Sequence, residues 1–426
     1  MNKNKDKNAW FWVPSLYFTE GIPYVVIVTV SVIMYKKLGI SNADIGLYTS
    51  LLYLPWVVKP FWSPFVDLRS TKRNWFLWMQ LLLSLAFLVA GLTIPLNQFF
   101  VLSLACFWVA AFTSATNDIA SDGYYMLALS EKNQSFFLGV RSTFYRLAMI
   151  TGQGLIVVLA GLLETKYSNN TKAWSITMVT VGLLMAGLTI FNLIATPKVE
   201  TERTSEEKES LSFFNVFLSF FQKKQIGLAI AFILLYRLGE SQLLKMSSPF
   251  LLDKTEVGGL ALTTTQVGTI YGTFGIIALT LGGILGGIAI SRFGLKKCML
   301  PMVLALNVPN VLYVLLAYFM PESQLVITAS VVIEQLGYGF GFAAFLMYLI
   351  FISEGLSKTS HYAIATGFMA AGMMLPGMLS GFLQEWLGYK LFFVWVVVAT
   401  IPGIIISQLL KYPADYGKKE PILNEL

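Results

Sequence analysis

The sequence predicts an all-α integral membrane protein whose twelve transmembrane helices form two six-helix bundles. Hydrophobic residues make up 56% of the 426-residue chain, charged residues only 12%, and the mean hydropathy is +0.67. The apolar runs are continuous rather than alternating, and each approaches the 20 or so residues that a helix needs to cross the hydrocarbon core. A polar stretch near the middle of the chain leaves six runs on each side.

Each apolar run is expected to be a helix, because a backbone in lipid must satisfy its own hydrogen bonds. The first run is too long for a signal peptide and carries Glu20 in its middle. The expected spans are 10–35, 43–67, 74–94, 97–125, 136–163, 172–195, 223–247, 264–291, 298–319, 324–353, 361–386 and 388–410.

Positively charged residues are distributed unequally between the two sides of the membrane. Nineteen of the 30 Lys and Arg residues fall in segments on the side of the termini, and six fall in the opposite loops. Cytoplasmic loops carry the excess of positive charge, so both termini are expected in the cytoplasm. These loops also explain the net charge of +7, so no nucleic-acid partner is expected.

The domain boundaries follow from the polar stretch 196–212, whose mixed charges are typical of a flexible linker. Residues 211–221 are expected to form a short amphipathic helix on the inner surface. The predicted organisation is an N-terminal bundle (1–195), a cytoplasmic linker with this helix (196–222), a C-terminal bundle (223–411) and a cytoplasmic tail (412–426).

The two halves of the chain echo each other. Tyr17-Phe18-Thr19-Glu20-Gly21 in the first span is similar to Tyr236-Arg237-Leu238-Gly239-Glu240 in the seventh, at an offset of about 220 residues. The charged turn after the second span has a counterpart after the eighth, beginning at Ser291. A near-constant offset indicates a duplicated six-helix unit, which resembles the architecture of the major facilitator superfamily.

The turn after the second span also resembles that superfamily's cytoplasmic loop between helices 2 and 3. There an acid and nearby bases form a charge latch that closes the inner side. Asp67, Arg69 and Arg73 match those positions, and Arg292 belongs to the second copy, where Ser291 replaces the acid. The alternative is that these charges only set the topology.

Ionisable residues within the spans are functional candidates, because charge is costly in a bilayer. Asp118 and Asp122 share one helix face, and Arg141 and Arg146 on the next span can reach it. A carboxylate beside an arginine stays ionised, so a mobile arginine or an arriving substrate could control protonation. The alternative role of these charges is a static salt-bridge network between the two helices. Lys245 is expected close enough to the outer surface to be solvated. The candidate proton-coupling residues are Glu20, Asp118, Asp122, Glu240 and Glu334.

Candidate substrate contacts combine cations with aromatic rings. Lys59 lies about 15 residues into its span, too deep to reach the surface easily. Tyrosine rings could stack on sugars, although packing is the simpler role for any single ring. The candidate substrate-binding residues are Tyr17, Lys59, Tyr124, Tyr145, Arg146, Tyr236 and Arg237.

A narrower resemblance covers at least residues 14–300. Its motifs are Tyr17-Phe18-x-Glu20-Gly21-Ile22-Pro23-Tyr24, Lys59-Pro60-x-Trp62-Ser63-Pro64-x-x-Asp67, Asn117-Asp118-Ile119-Ala120-x-Asp122-Gly123, Tyr145-Arg146-Leu147 and Tyr236-Arg237-Leu238-Gly239-Glu240. These motifs resemble the AmpG-type muropeptide permeases and, in the fourth span, the related acetyl-CoA transporters.

The resemblance implies proton-driven import of peptidoglycan fragments, GlcNAc-anhydroMurNAc with or without stem peptide, across a bacterial inner membrane. The implied partners are an anionic saccharide, protons and the bilayer. We expect a monomer without cofactor or metal. A siderophore, another amino-sugar oligosaccharide or an acyl-CoA-like anion remains an alternative substrate.

Two other classes of function fit the sequence less well. His361 is the only histidine, so an intramembrane enzyme with a multi-histidine metal site is excluded. Asp118 and Asp122 lie on one helix, whereas an aspartyl dyad normally joins acids from two helices. A membrane sensor would need a soluble signalling module, and neither the linker nor the tail is large enough. We therefore expect no enzymatic activity.

Overall fold

The computed structural model describes residues 6–68, 70–199, 213–354 and 358–418, and no strand occurs among them. The helices that the text uses are α1 (Ala9–Lys37), α2 (Asn42–Leu51), α3 (Leu54–Leu68), α4 (Lys72–Thr93), α5 (Phe99–Ala128), α6 (Glu131–Ile150, continuing through a π turn to Tyr167), α7 (Asn170–Ala195), α8 (Phe213–Phe221), α9 (Ile226–Leu252), α10 (Thr264–Phe293), α11 (Leu295–Phe319), α12 (Gln324–Ser353), α13 (Lys358–Ala399) and α14 (Ile401–Leu409).

Ten helices among the described residues are long and apolar enough to cross a membrane. The last of them runs over Ser360–Leu409, which is about 75 Å of helix and more than twice the hydrocarbon thickness. Gly388 turns the backbone within it, with a φ of 68° that glycine adopts without steric cost. This segment therefore provides two crossings, as the separate spans 361–386 and 388–410 predicted.

The expected second span, 43–67, is not one continuous helix. It is divided into α2 and α3 by a turn at Leu52 and Tyr53. The physical reason is Pro55, the second residue of α3, because proline has no N–H to continue a preceding helix but fits well in a first turn. With this interrupted span, the twelve expected crossings are accounted for.

Large apolar side chains cover the outside of the helices. Phe319, Leu325 and Trp386 are each more than three-quarters exposed, as are few large side chains of a water-soluble protein. Helices can bear such a surface in a bilayer because lipid tails are themselves apolar. The outer surface thus agrees with the multi-pass membrane character that the composition predicts.

The contacts divide the protein into two compact units. The first comprises the described residues of Met1–Ser210 together with Leu262–Thr273, and the second those of Leu211–Ala261 and Phe274–Leu426. The boundary within α10 falls in a π-helical segment, Ile270–Gly275. The beginning of α10 therefore packs with the first unit, although it lies beyond the linker in the chain.

In the first unit, α1 approaches α6 closely at Gly21, where a Cβ would lie only 2.6 Å from the Cβ of Ala148. A buried polar contact adds specificity, because Asn192 Nδ2 donates to Thr19 Oγ1 at 3.1 Å and to Gln80 Oε1 at 3.0 Å. These two contacts connect α7 with α1 and α4.

A second polar contact ties the beginning of α10 to α6. The Glu164 carboxylate accepts hydrogen bonds from Thr264 Oγ1 at 2.6 Å and Trp174 Nε1 at 2.8 Å, and Lys37 Nζ lies 3.5 Å away. Both oxygens of this acid are therefore paired.

The second unit has an aromatic core around α9 and α12. The rings of Tyr236 and Phe345 stack with centroids 5.1 Å apart, and the Tyr236 hydroxyl donates to Gly341 O at 2.9 Å. The segment after α14 packs on this unit. Leu295 N donates to Tyr416 O at 2.8 Å, and the Tyr416 hydroxyl donates to Glu354 Oε1 at 2.8 Å.

Candidate functional site

Four helices of the first unit bring charged side chains together. Helix α1 supplies Glu20, α3 supplies Lys59, α5 supplies Asp118 and Asp122, and α6 supplies Arg141. We call these five residues the charged cluster. The two aspartates are neighbours because residues four apart lie on the same helix face.

At one end of the charged cluster, Asp122 accepts two contacts on the same oxygen. Arg141 Nη2 and the Tyr17 hydroxyl each lie 2.9 Å from Asp122 Oδ1. The guanidinium carbon lies 4.2 Å from the centroid of the Tyr17 ring, a geometry in which cation and ring attract each other. The Arg141 and Asp122 side chains are 26% and 45% exposed, so other parts of the protein leave this pair partly uncovered.

At the other end, Asp118 lies between an indole and an ammonium group. Trp56 Nε1 donates to Asp118 Oδ2 at 2.9 Å, and Lys59 Nζ lies 3.9 Å from the same oxygen. The Trp56 ring makes an edge contact with Tyr24, with centroids 5.3 Å apart. Lys59, which the sequence placed too deep to escape to the surface, thus has a carboxylate partner.

Glu20 differs from both aspartates. It is only 8% exposed, and its Oε2 finds no hydrogen-bond donor among the described residues. The charges that act on it belong to Asp122, Asp118, Arg141 and Lys59. With all groups ionised, the charged cluster has three carboxylates and two cations, and hence one negative charge in excess.

The second unit contains a different arrangement. Arg237 is buried, donates to the Tyr338 hydroxyl, and lies over the ring of Phe342 with 4.8 Å between guanidinium carbon and centroid. Glu240 is fully buried, and neither carboxylate oxygen has a donor in the described ranges. Glu334 is also buried and accepts from Gln335 Nε2 at 3.0 Å.

The arginine that pairs with Asp122 is Arg141. From the sequence, both Arg141 and Arg146 could reach the aspartates, and only Arg146 was proposed as a site residue. The two arginines are about 140° apart around α6, so they occupy different sides of this helix. The spacing of residues 141, 145 and 148 indicates that they share one face of α6. Tyr145 and Ala148 lie against Gly21 of α1, and Arg141 continues the same helix face.

Two of the tyrosines proposed to contact the substrate are buried against other aromatic rings. Tyr124 is buried between Trp12 and Phe76, and its hydroxyl donates to Pro197 O at 2.6 Å. Tyr236 lies in the aromatic core described above. Tyr145 remains half-buried beside α1.

The residues of the predicted latch are only partly described. Arg73 donates from Nε to Thr196 O at 2.9 Å and from Nη2 to Leu193 O at 2.6 Å, so it caps the last turn of α7. Arg292 is exposed, with its guanidinium over Phe293. Arg69 and the side chain of Asp67 lie outside the described residues.

The expected position of Lys245 near the outer surface is wrong, because its side chain is buried. Helix α9 continues to Leu252, beyond the predicted end at 247, and this leaves Lys245 about 10 Å below the end of the helix. In the described ranges, no three His, Cys, Asp or Glu side chains come close enough to hold a metal ion.

A multi-pass helical fold with ionisable side chains among its helices is typical of membrane transporters. The sequence model of the Major Facilitator Superfamily matches residues 15–360, and the chain belongs to this superfamily. Membership indicates a permease without enzymatic activity whose partner is a small-molecule solute.

The resemblance to AmpG-type permeases is confirmed by named relatives. The chain is 25% identical over 412 residues to the anhydromuropeptide permease of Escherichia coli, covering 95% of this chain and 80% of that protein. It is 26% identical over 370 residues to a Rickettsia prowazekii protein named as an AmpG transporter, covering 83% and 84% of the two chains.

Solved transporters share the fold. A bacterial homologue of the human lysosomal transporter Spinster superposes with a TM-score of 0.73 at 16% identity, covering 97% of this chain and 98% of that one. A D-xylose–proton symporter superposes with a TM-score of 0.71 at 10% identity, covering 97% and 99%. At these identities the likeness concerns the fold alone.

Proposed function

We propose that this protein imports peptidoglycan-derived muropeptides, GlcNAc-anhydroMurNAc with or without stem peptide, together with protons. The proposed site of action is a bacterial inner membrane, with both termini in the cytoplasm and the protein acting as a monomer by alternating access. The named relatives support the substrate class. A siderophore, another amino-sugar oligosaccharide or an acyl-CoA-like anion is the alternative substrate.

The observation that carries the proton coupling is the excess of one carboxylate in the charged cluster. Glu20 is the most buried acid of the three, and one of its oxygens finds no donor in the part of the chain that the structure describes. A buried charge without a partner is costly, and adding one proton makes the charged cluster neutral. Glu20 is thus the group whose proton we expect to travel with the solute.

The direct test is uptake of radiolabelled GlcNAc-anhydroMurNAc into proteoliposomes, with and without an inward proton gradient. We expect accumulation above the equilibrium level only with the gradient. Uptake to equilibrium in both conditions would leave the substrate intact and overturn the coupling. No uptake by protein with an intact thermal transition would overturn the substrate and direct the assay to the alternative solutes.

Glu20→Gln tests the assignment of the proton site. We expect gradient-driven accumulation to fall at least about tenfold, because the amide cannot release a proton, while exchange of solute across the membrane without a gradient continues. Glu256→Gln is the matched control, since it makes the same chemical change at an exposed acid. Accumulation by Glu20→Gln at the wild-type level would exclude Glu20 from coupling.

A further inference from the structure

The Arg141–Asp122 pair is the most accessible ion pair of the charged cluster. We propose that a carboxylate of the solute binds Arg141 and replaces Asp122 as the partner of its guanidinium. The inference rests on the proposed function, and it adds both the chemical group that the solute must carry and the residue that recognises it.

The geometry of the guanidinium supports this role. Its ion pair with Asp122 uses Nη2, and an arginine has five N–H donors in a planar fork that matches a carboxylate. A quarter of the Arg141 side chain and almost half of the Asp122 side chain are exposed, so an incoming anion can reach the pair. A deeply buried pair would not offer such access.

Two aromatic rings contact the guanidinium in addition to Asp122. Its carbon lies 4.2 Å from the Tyr17 centroid and 5.2 Å from the Tyr125 centroid, and these rings contact each other edge to face at 5.7 Å. When a solute carboxylate takes the place of Asp122 at the guanidinium, these rings still contact the cation. Such preorganisation lowers the entropic cost of binding.

Replacement changes the surroundings of Asp122 in a defined way. Asp122 keeps the Tyr17 hydroxyl as a hydrogen-bond donor but loses the Arg141 guanidinium. With the proton on Glu20 that the proposed function assigns, the charges of Asp118 and Lys59 balance each other, so the Asp122 carboxylate is then the uncompensated negative charge of the charged cluster. Taking up one proton restores the balance. One solute carboxylate enters the charged cluster, a second proton binds Asp122 besides the one already on Glu20, and the net charge of the cluster is unchanged.

Lys59 is a less suitable carboxylate receptor. It lies 3.9 Å from Asp118, whose oxygen also accepts the shorter bond from Trp56. An ammonium group acts as a point charge and does not present the paired donors of a guanidinium. The structure thus favours Arg141 over Lys59 for recognition of a planar anion.

The experiment measures equilibrium binding of GlcNAc-anhydroMurNAc and of its methyl ester to the purified full-length protein, with N-acetylneuraminic acid as an unrelated sugar acid. We expect Arg141→Gln to weaken binding of an acid at least about tenfold, the loss of one charge-assisted hydrogen bond, and to change binding of the ester less than about threefold. Lys172→Gln is the control, because this exposed lysine carries the same charge and stacks on Tyr167.

Proton uptake on binding is the second measurement, made by calorimetry in buffers of different ionisation enthalpy. Wild-type protein should take up about one proton with an acid and none with the ester, and Asp122→Asn should take up none with either. Equal losses for acid and ester in Arg141→Gln would overturn the inference and retain the muropeptide substrate. A selective loss of acid binding in Lys59→Gln alone would overturn it in favour of that lysine.

The two proposals fail in different ways. Binding of N-acetylneuraminic acid that depends on Arg141, with no binding of either muropeptide form, would overturn the proposed substrate and support the carboxylate receptor. No binding of any sugar acid by the wild-type protein would overturn the receptor, and ester binding would then decide whether the muropeptide is still the substrate.

Discussion

The two units differ in how they surround ionisable side chains, although α1 and α9 carry related Tyr and Glu motifs. In the first unit, Asp118 and Asp122 each have a cation and a second donor, and both aspartates remain partly exposed. In the second unit, Glu240 is fully buried without a donor among the described residues, and Arg237 lies against aromatic rings.

The helix geometry explains how the second unit tolerates this acid. Helix α9 is interrupted at Tyr236 and Arg237, and Glu240 falls in the first turn of the part that follows. The N-terminus of a helix is positively polarised and favours a negative charge. Arg237 adds a second favourable interaction with the same carboxylate. The comparison shows that related motifs can place their acids in different surroundings, with partly exposed ion pairs in the first unit and an enclosed acid in the second.

The largest effect on stability is expected for Arg237→Ala. Removing the cation deletes its hydrogen bond to Tyr338 and its contact with Phe342 and takes a positive charge away from the enclosed Glu240, which costs about 3 kcal/mol in the free energy of unfolding. Arg141→Ala is the contrasting variant and should cost less than about 1 kcal/mol, because its ion pair is partly exposed. Thermal unfolding in detergent measures both.

The double variant Arg237→Ala/Glu240→Gln separates two causes. Recovery of most of the lost stability would assign the cost to the uncompensated carboxylate. A double variant as unstable as Arg237→Ala would assign it to the packing of the guanidinium on Tyr338 and Phe342, and the contrast between the units would then be one of packing.

A medium effect is expected where helices touch. Gly21→Ala places a methyl group against Ala148 and should cost about 1–3 kcal/mol, which Ala148→Gly should largely restore. In the second unit, a Cβ on Gly239 would lie 2.6 Å from Val396 O, a backbone atom that no second substitution removes. Gly187→Ala, with nothing within 4 Å of its Cβ, is the control. Failure of Ala148→Gly to rescue Gly21→Ala would show that the crossing tolerates no local repair.

The smallest effect is expected at the segment after α14. Tyr416→Phe removes one hydrogen bond to Glu354 and should cost about 0.5–1.5 kcal/mol, seen as faster amide exchange at Leu295, whose N–H donates to Tyr416 O. Burial and the nearby Glu354 carboxylate raise the pKa of Tyr416, as expected for a hydroxyl that donates to an acid. Tyr318→Phe is the control on an exposed ring. Unchanged exchange at Leu295 would mean that the backbone bond alone holds the segment.

Most of the helices could be predicted from composition, because the backbone of an apolar segment in lipid must form its hydrogen bonds within the segment, as a helix does. The exceptions follow from local backbone chemistry. Pro55 explains the break between α2 and α3, and Gly388 explains the tight turn between the last two crossings. Both residues were visible in the sequence, but their effect on a membrane span depends on where the neighbouring turns fall.

The members of the charged cluster were also visible, because an ionisable residue within an apolar run is unusual. The sequence did not show which of these residues form ion pairs with each other. Arg141 and Arg146 differ little in sequence context, and only the rotation of α6 against α1, set by the close approach at Gly21, decides which arginine meets Asp122. In the same way, the depth of Lys245 depends on how far α9 continues.

The sequence by itself determined the class of this protein, its helical spans and the acids and bases that must lie among them, because the cost of placing polar groups in lipid acts on each segment separately. Only the tertiary structure decided that Asp122 and Arg141 form an accessible pair while Glu20 and Glu240 are enclosed. Exposure and pairing depend on which helix faces meet, and that is a property of the packed bundle and of no single segment.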